Sequence, residues 1–386
     1  MGMKYGAVAM MAFGLVSFIS LAAGNVALGV AELCFLIYAF KNRNALQMIE
    51  KSYYRGIAIF MAAMLVSALC SGDILKGFRM WGDFWFWRLM PFFIITLAVK
   101  DEKVVKKILA FSAVGLTISA LYAIFQWLGG AARPNAFYGH PMTLAGWLCI
   151  YVPMFMVLLF EKTLSLRYRQ GAGVLFVISM VALLCNATRG AWVAVGVVTF
   201  LLLVYYLFQK RTLAILALCL LIGGGAALTQ YQPFVNRVAS ITDTRANSER
   251  FLIWNSAFQM FKDHPVLGVG LGQYKENYQQ KYISPEAKEP TLEHAHNNFM
   301  QMLAENGAVG FAGFIVMLAA LIGIPFRRFW KEKNPYALIM CASAVAIVLQ
   351  GGTEYNFGNS AVMKCFWLVQ GCLLVLSRGW SVNKKD

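Results

Sequence analysis

Charge is scarce in this chain. Only 13% of its 386 residues are Asp, Glu, Lys or Arg, against about 25% in soluble domains. Acidic residues are scarcer still, with 18 Asp and Glu facing 34 Lys and Arg. With 59% of the residues hydrophobic, the composition excludes a soluble multidomain protein and reads as a polytopic membrane protein. Twelve spans of about 20 residues use about 240 residues, which leaves no room for a large soluble domain. A net charge of +16 would point to nucleic acid in a soluble chain. In a membrane protein cations gather on cytoplasmic loops instead, so no nucleic-acid partner is expected. Paired cysteines are missing too. The eight Cys lie almost all inside apolar runs and form no CxxC pair or Cys/His cluster, which reads as apolar packing rather than disulfides or a thiolate metal centre. No cleavable signal peptide is expected, because the first apolar run lacks a small-residue cleavage site. Internal repeats and low-complexity segments are absent as well.

Apolar runs bounded by charge or by Gly, Pro and Asn fall at about 5–22, 25–40, 55–70, 84–99, 104–128, 142–160, 172–187, 190–208, 212–229, 307–324, 335–350 and 361–377. All twelve are read as helices, because a lone strand leaves its backbone unsatisfied in lipid. With the N-terminus inside, 21 of the 34 cations fall on cytoplasmic segments and only six on the opposite side outside one long loop. That asymmetry predicts cytoplasmic termini. The expected organisation is one integral all-α domain. It comprises 1–230 with spans one to nine, 231–295 as a large periplasmic loop containing short helices, and 296–386 with a motif helix and the last three spans.

The long loop is locally neutral, with seven cations and seven acids, and a loop of this length is more often functional than a spacer. Ser248 is a candidate N-cap for a helix in which Phe251, Trp254, Phe258 and Phe261 form an aromatic face. His264-Pro265 ends it. Gly268-x-Gly270-x-Gly272 follows, but with no preceding strand and no phosphate-loop Lys it does not read as a nucleotide site.

Intramembrane and boundary charges are costly and therefore informative. On the non-cytoplasmic side they are Arg88, Arg133, His140, Arg189, Arg250, His294, His296, Glu305 and Glu354. Arg189 sits at a break between two spans so tight that its guanidinium must lie at the membrane boundary, either as a snorkelling anchor or facing a cleft. Arg250 lies in the first turn of the loop helix. There it opposes the helix dipole unless an anion binds beside it or a nearby carboxylate pairs with it. His294 and His296 make a His-x-His pair beside Glu293, but with no distant partner evident the spacing is weak for zinc, and no metal is expected. A histidine there suits proton transfer from a hydroxyl. Asn297, Asn298 and Gln301 offer hydrogen bonds to a polar substrate or to the ring.

Three pieces of sequence resemble the O-antigen ligase / O-antigen polymerase superfamily. They are Arg250-Phe-Leu-Ile-Trp254, His264-Pro-Val-Leu-Gly-Val-Gly-Leu-Gly272, and His296-Asn297 followed after nine residues by Gly307. The resemblance extends to the twelve-span plan, the single large loop between the ninth and tenth spans, and the break at Thr188-Arg189-Gly190. It implies an inverting, metal-independent and cofactor-free glycosyltransferase of the bacterial inner membrane. Such an enzyme takes a glycan from undecaprenyl pyrophosphate and joins it, on the periplasmic face, to a hydroxyl of the lipid A–core in lipopolysaccharide biosynthesis. It further implies His296 as catalytic base, selected over His294 by the spacing to Gly307, and Arg189 and Arg250 as pyrophosphate ligands. His294, Asn297, Arg133 and His140 are secondary candidates.

Two alternatives stay open. A polymerase of the same superfamily differs only in its acceptor, and the ungapped His-Asn-to-Gly motif favours the ligase. A lipid-linked-sugar transporter or flippase would need coupling carboxylates in mid-membrane, where Glu32 is the one strong candidate.

Overall fold

A computed structural model of the chain describes residues 2–209, 215, 218, 229–230, 232–243 and 247–383. Every regular element among them is helical. In order these are α1 (Gly2–Val16), α2 (Leu21–Lys41), α3 (Lys51–Leu69), α4 (Ile74–Val99), α5 (Glu102–Leu128), α6 (Pro141–Phe160), α7 (Leu166–Asn186), α8 (Arg189–Gln209), α9 (Gln232–Ala239), α10 (Ser248–Asp263), α11 (Asn298–Glu332), α12 (Pro335–Gln350) and α13 (Ser360–Asn383). Among the described residues nine helices are long and apolar enough to cross a membrane, and Met3–Val16 and Pro335–Gln350 are shorter apolar helices. Eleven of the expected spans thus coincide with helices, and the one at 212–229 lies outside the described residues.

Polar residues between the apolar runs set the helix starts by accepting otherwise orphaned backbone N–H groups. Ser20 accepts from Ala23 N, Asp73 from Lys76 N, Asp101 from Lys103 N, and Asn334 from Tyr336 N and Ala337 N. These caps move two expected boundaries. α1 stops at Val16 rather than near 22, because Ser20 already opens α2. α4 begins at Ile74 rather than near 84, since Asp73 caps it and the charged Lys76, Arg79 and Asp83 ride on the helix instead of ending it. It contains two π-helical turns, Asp83–Arg88 and Ile94–Val99. α11 does not stop at Gly307: it breaks there (φ 58, ψ −159) and continues to Glu332.

Nearly all of α6 is buried, and α12 and α13 lie beside it at the centre of the bundle. Trp147 of α6 takes Phe18 edge-on at 4.7 Å. α3 runs along α11, and α1 packs on α2 and α5. At one end of the bundle, Asn186 Nδ2 donates to the carbonyls of Pro134 and Pro141. There too Asn298 N donates to Gly351 O at 2.7 Å and Asn359 Nδ2 donates to Thr143 Oγ1 at 3.0 Å. The opposite end holds the Arg328–Glu50 ion pair at 2.6 Å and the Asn334 Nδ2 to Ser377 O bond at 2.7 Å.

The segment from α9 to Asn297 folds on the first of these ends. α10 begins at Ser248, with Asn247 and not Ser248 at the N-cap position, and ends at Asp263. It does not pack by its aromatic face. Ile253, Ser256, Ala257 and Met260 are the buried residues, while Phe251 and Phe258 are 52% and 41% exposed. The small Ser256 and Ala257 let the helix axis approach α11 closely. Ile253, Ala257 and Met260 then share a small core with Tyr274, Tyr278, Leu292, Ala295 and Ala304. The glycine run serves backbone packing. Val269 N and Gly270 N donate to Ala304 O and Glu305 O, and Ala308 N and Val309 N donate back to Pro265 O and Val266 O. A Cβ on Gly268 (φ +70) would lie 2.4 Å from Glu305 C, and one on Gly307 (φ +58) 2.5 Å from Val266 C. Both positions therefore need glycine, for conformation and for space.

Candidate active site

The break between α7 and α8 is built before the arginine it carries. Asn186 is tied to the 134–141 loop as described above, Ala187 turns the chain at φ 56, and Thr188 Oγ1 donates to Asn186 Oδ1 at 2.5 Å. Gly190 follows because the 351–359 loop packs into it: a Cβ there would sit 2.0 Å from Thr353 Oγ1. Arg189 Nη1 donates to Ser240 O just after α9. Arg237 on α9 returns the tie, its Nε donating to Ala187 O at 2.9 Å.

His296 stands in the bend before α11, in left-handed backbone at φ 47, a conformation uncommon outside glycine. Its neighbours hold it there. Ala295 N donates to Gln301 Oε1 at 2.7 Å and Trp254 Nε1 to Ala295 O at 3.1 Å. Asn297 caps α11 by accepting from Phe299 N and Met300 N, and its Nδ2 donates to Gly352 O at 2.8 Å. Asn298 Nδ2 donates to Asn356 Oδ1 at 2.7 Å, while Asn298 Oδ1 accepts from Phe357 N. The His-Asn-Asn run therefore locks onto the 351–357 loop, which brings in a residue given no role from the sequence. Glu354 Oε1 lies 3.3 Å from His296 Nδ1. A proton on Nδ1 shared with that carboxylate leaves the Nε2 lone pair as the ring's free acceptor.

Glu354 is buried, and burial pushes its carboxyl up. The hydrogen bond from His296 and the positive charge of Arg250 outweigh that and hold it below the usual carboxylate range. His294, edge-on to His296 at 4.3 Å between ring centres, is pushed down to about 4 by burial and then by His296. It is neutral at physiological pH.

Four guanidinium groups share this field. Arg250 is lowered by burial and by Arg189 and Arg133, against the opposing pull of Glu354. Arg133 is lowered by partial burial and by Arg189, again opposed by Glu354. Arg237 is pushed down to about 10 by burial and by Arg133, Arg189 and Arg250. None of the four makes an ion pair with any described residue. Glu249, the carboxylate next to Arg250 in the chain, accepts instead from the backbone N–H groups of Lys288 and Glu289.

The structure thus brings Arg189, Arg250, His294, His296, Asn297 and Arg133 to one end of the bundle, and adds Glu354 and Arg237. His140 lies at the margin, exposed, with Nδ1 accepting from Met142 N at 3.3 Å as the N-cap of α6. Glu305 is a strut under the glycine loop, its carboxylate accepting from Tyr274 N at 3.1 Å. Donor atoms of His294, His296 and Glu354 lie within 4.8 Å of one another, a spacing that could hold a metal ion. The distant carboxylate that the His-x-His pair lacked in the sequence is therefore present. Four uncompensated arginines in the same field oppose a divalent cation and favour an anion.

An all-helical membrane chain with an arginine cluster and a carboxylate-held histidine at one end is the class of protein these features define. Residues 174–315 match the family model described as O-antigen ligase, which supports the O-antigen ligase / polymerase superfamily read from the motifs. The matched segment contains Arg189, Arg237, Arg250, His294 and His296. Arg133, His140 and Glu354 lie outside it. A protein of Haemophilus influenzae (strain ATCC 51907 / DSM 11121 / KW20 / Rd), described as an uncharacterized protein, is 24% identical over 224 residues, 50% of this chain and 55% of its own length. The chain thus aligns with about half of that relative.

Proposed function

We propose that this chain is an O-antigen ligase. It transfers a glycan from undecaprenyl pyrophosphate to a lipid A–core hydroxyl on the periplasmic face of the inner membrane, with inversion and without a metal. The observation that carries the reading is the junction of His296, held by Glu354, with four guanidinium groups that make no ion pair with any described residue. In the reaction the acceptor O–H gives its proton to His296 Nε2 as its oxygen bonds to the anomeric carbon. The opposite bond, from that carbon to the diphosphate, breaks with its electron pair passing to the diphosphate oxygen. General-base assistance of this kind is worth ~10²–10⁴-fold. Arg189 and Arg250 meet the charge growing on the leaving group, a role a divalent ion would otherwise fill. Glu354 fixes the ring and stabilises the imidazolium that forms.

The test is transfer by the purified full chain in lipid nanodiscs, given polyprenyl-pyrophosphate-linked glycan and lipid A–core with EDTA present. A covalent glycan–lipid conjugate is expected, together with its loss by roughly 10²–10⁴-fold in His296→Ala protein that is inserted normally. Conjugation to a second glycan unit in place of lipid A–core would make the chain a polymerase. Wild-type turnover by His296→Ala, or uptake of the donor without conjugation, would refute the reading.

A further inference from the structure

Arg237 is an arginine the proposed reaction does not use. Helix α9 is seated on α8 by Phe234 against Trp192, with ring centres 5.2 Å apart, and this sets Arg237 beside the α7–α8 break. Its Nε donates to Ala187 O and Arg189 donates back to Ser240 O, so the two guanidinium groups are cross-tied through backbone on either side. Ser240 Oγ donates to Arg237 O at 2.7 Å, and Asn247 Nδ2 donates to Asp243 O at 2.7 Å, which holds the end of α9 and the start of α10. Only Nε of Arg237 is committed to a protein acceptor among the described residues. Toward the described residues its four Nη protons have no acceptor and are placed to serve a ligand.

The charge balance says what kind of ligand. Among the described residues four arginines face one carboxylate, Glu354, and His294 is neutral at physiological pH. A glycan-bearing diphosphate is a diester with one charge on each phosphate. When the sugar departs, a third charge appears on the released diphosphate, a terminal phosphate carrying about −1.5 to −2. The uncompensated cationic charge matches that released trianion better than it matches the donor.

Resting on the ligase reading, we propose that Arg237 is a third contact for the leaving prenyl diphosphate, and that the cleft is tuned to the released diphosphate. Free prenyl diphosphate is then a tight product inhibitor. Arg237→Gln tests this, because a glutamine amide can still reach Ala187 O and keep that tie while the charge is gone.

The probes are geranylgeranyl diphosphate and geranylgeranyl monophosphate, binding the full chain in nanodiscs. Wild type should prefer the diphosphate by roughly tenfold or more. Arg237→Gln should lose roughly tenfold to hundredfold affinity for it and only a few-fold for the monophosphate, so that the ratio collapses. Arg237→Lys, which keeps the charge, should fall between. A purely structural tie would shift both ligands alike. A diphosphate-to-monophosphate ratio for Arg237→Gln within about twofold of wild type overturns this inference and leaves the ligase reading standing. Failure of the wild-type chain to bind the diphosphate overturns both.

Discussion

Arg88 and Lys364 are buried cations on α4 and α13, and each is matched by the protein itself. Arg88 pairs with Asp83 at 2.5 Å, donates to Phe357 O, and lies 4.1 Å above the Phe84 ring. Lys364 donates to Asn25 Oδ1 at 2.8 Å and sits over Trp87. Arg133, Arg189, Arg237 and Arg250 receive neither an ion pair nor an aromatic face from the described residues. Two of them donate to backbone carbonyls, and the one carboxylate in their field is already engaged by His296. Leaving cations together without counter-ions costs stability, and a fold tolerates that cost where a ligand supplies the missing charge. Within a single chain, the matched cations mark architecture and the unmatched ones mark a site.

The comparison breaks most directly at the unmatched arginines. Arg189→Ala and Arg250→Ala should each lower transfer by roughly 10²-fold, since each removes charge-assisted contacts worth about 1.5–3 kcal/mol in the transition state. Neither loses a protein salt bridge, so both should melt near wild type. Lysine should rescue only in part, because the bidentate fork is gone. Turnover of either alanine variant at the wild-type rate, measured in the nanodisc assay, would move that arginine to the architectural class.

Glu354 sharpens the line between the two classes, because it is buried like a structural acid yet sits in the site. Glu354→Gln should lower kcat by roughly tenfold with donor KM little changed, as a mispositioned base would. Its carboxyl is held below the ordinary range near 4.3, so its stabilising contribution is present above that unfolded value and lost as pH falls through the lowered folded one. Melting in detergent from about pH 6 down to about pH 3 should show this acid limb in wild type and a shallower one in Glu354→Gln. Identical limbs would mean the carboxylate does not pair with His296 in the folded state.

The sequence makes the long-range plan visible wherever one physical rule dominates. Hydropathy alone locates α2, α5, α6, α8 and α13 to within a few residues, because lipid demands long apolar helices. It misplaces the start of α4, where Lys76, Arg79 and Asp83 look like a loop and in fact ride on a helix. Arg189, Arg250 and His296 can be read as a site because rare charge falls at a tight break, a helix start and a fixed distance from Gly307. Glu354 shows in the sequence only as one more boundary charge: it lies 58 residues beyond His296, and the Asn297 and Asn298 contacts that join the two loops leave no mark in the spacing. Arg237 is hidden by the neutrality of its own segment, since equal counts of acids and bases conceal that the acids pair elsewhere, as Asp263 does with Lys281 and Glu293 with Lys275. The aromatic face of α10 misleads for a similar reason, because large rings dominate the pattern while small residues make the close contact.

The matched class carries the smallest expected effect on transfer, and its test runs the other way. Asp83→Asn leaves Arg88 buried without its partner. Breaking a fully buried pair costs about 3–5 kcal/mol, and with the Asp83 side chain 36% exposed the loss is discounted to roughly 1–3 kcal/mol by solvent screening. Arg88 retains the Phe357 carbonyl and the Phe84 ring, so its guanidinium has reason to stay in place. Phe357 N in turn donates to Asn298 Oδ1, two residues from His296, a route by which damage at Arg88 can reach the site. Asp83→Asn should therefore melt lower than wild type while transfer per folded molecule stays within about twofold. A large fall in transfer at unchanged melting temperature would show that Arg88 acts on the reaction through Phe357, and the division between matched and unmatched cations would then no longer separate architecture from chemistry.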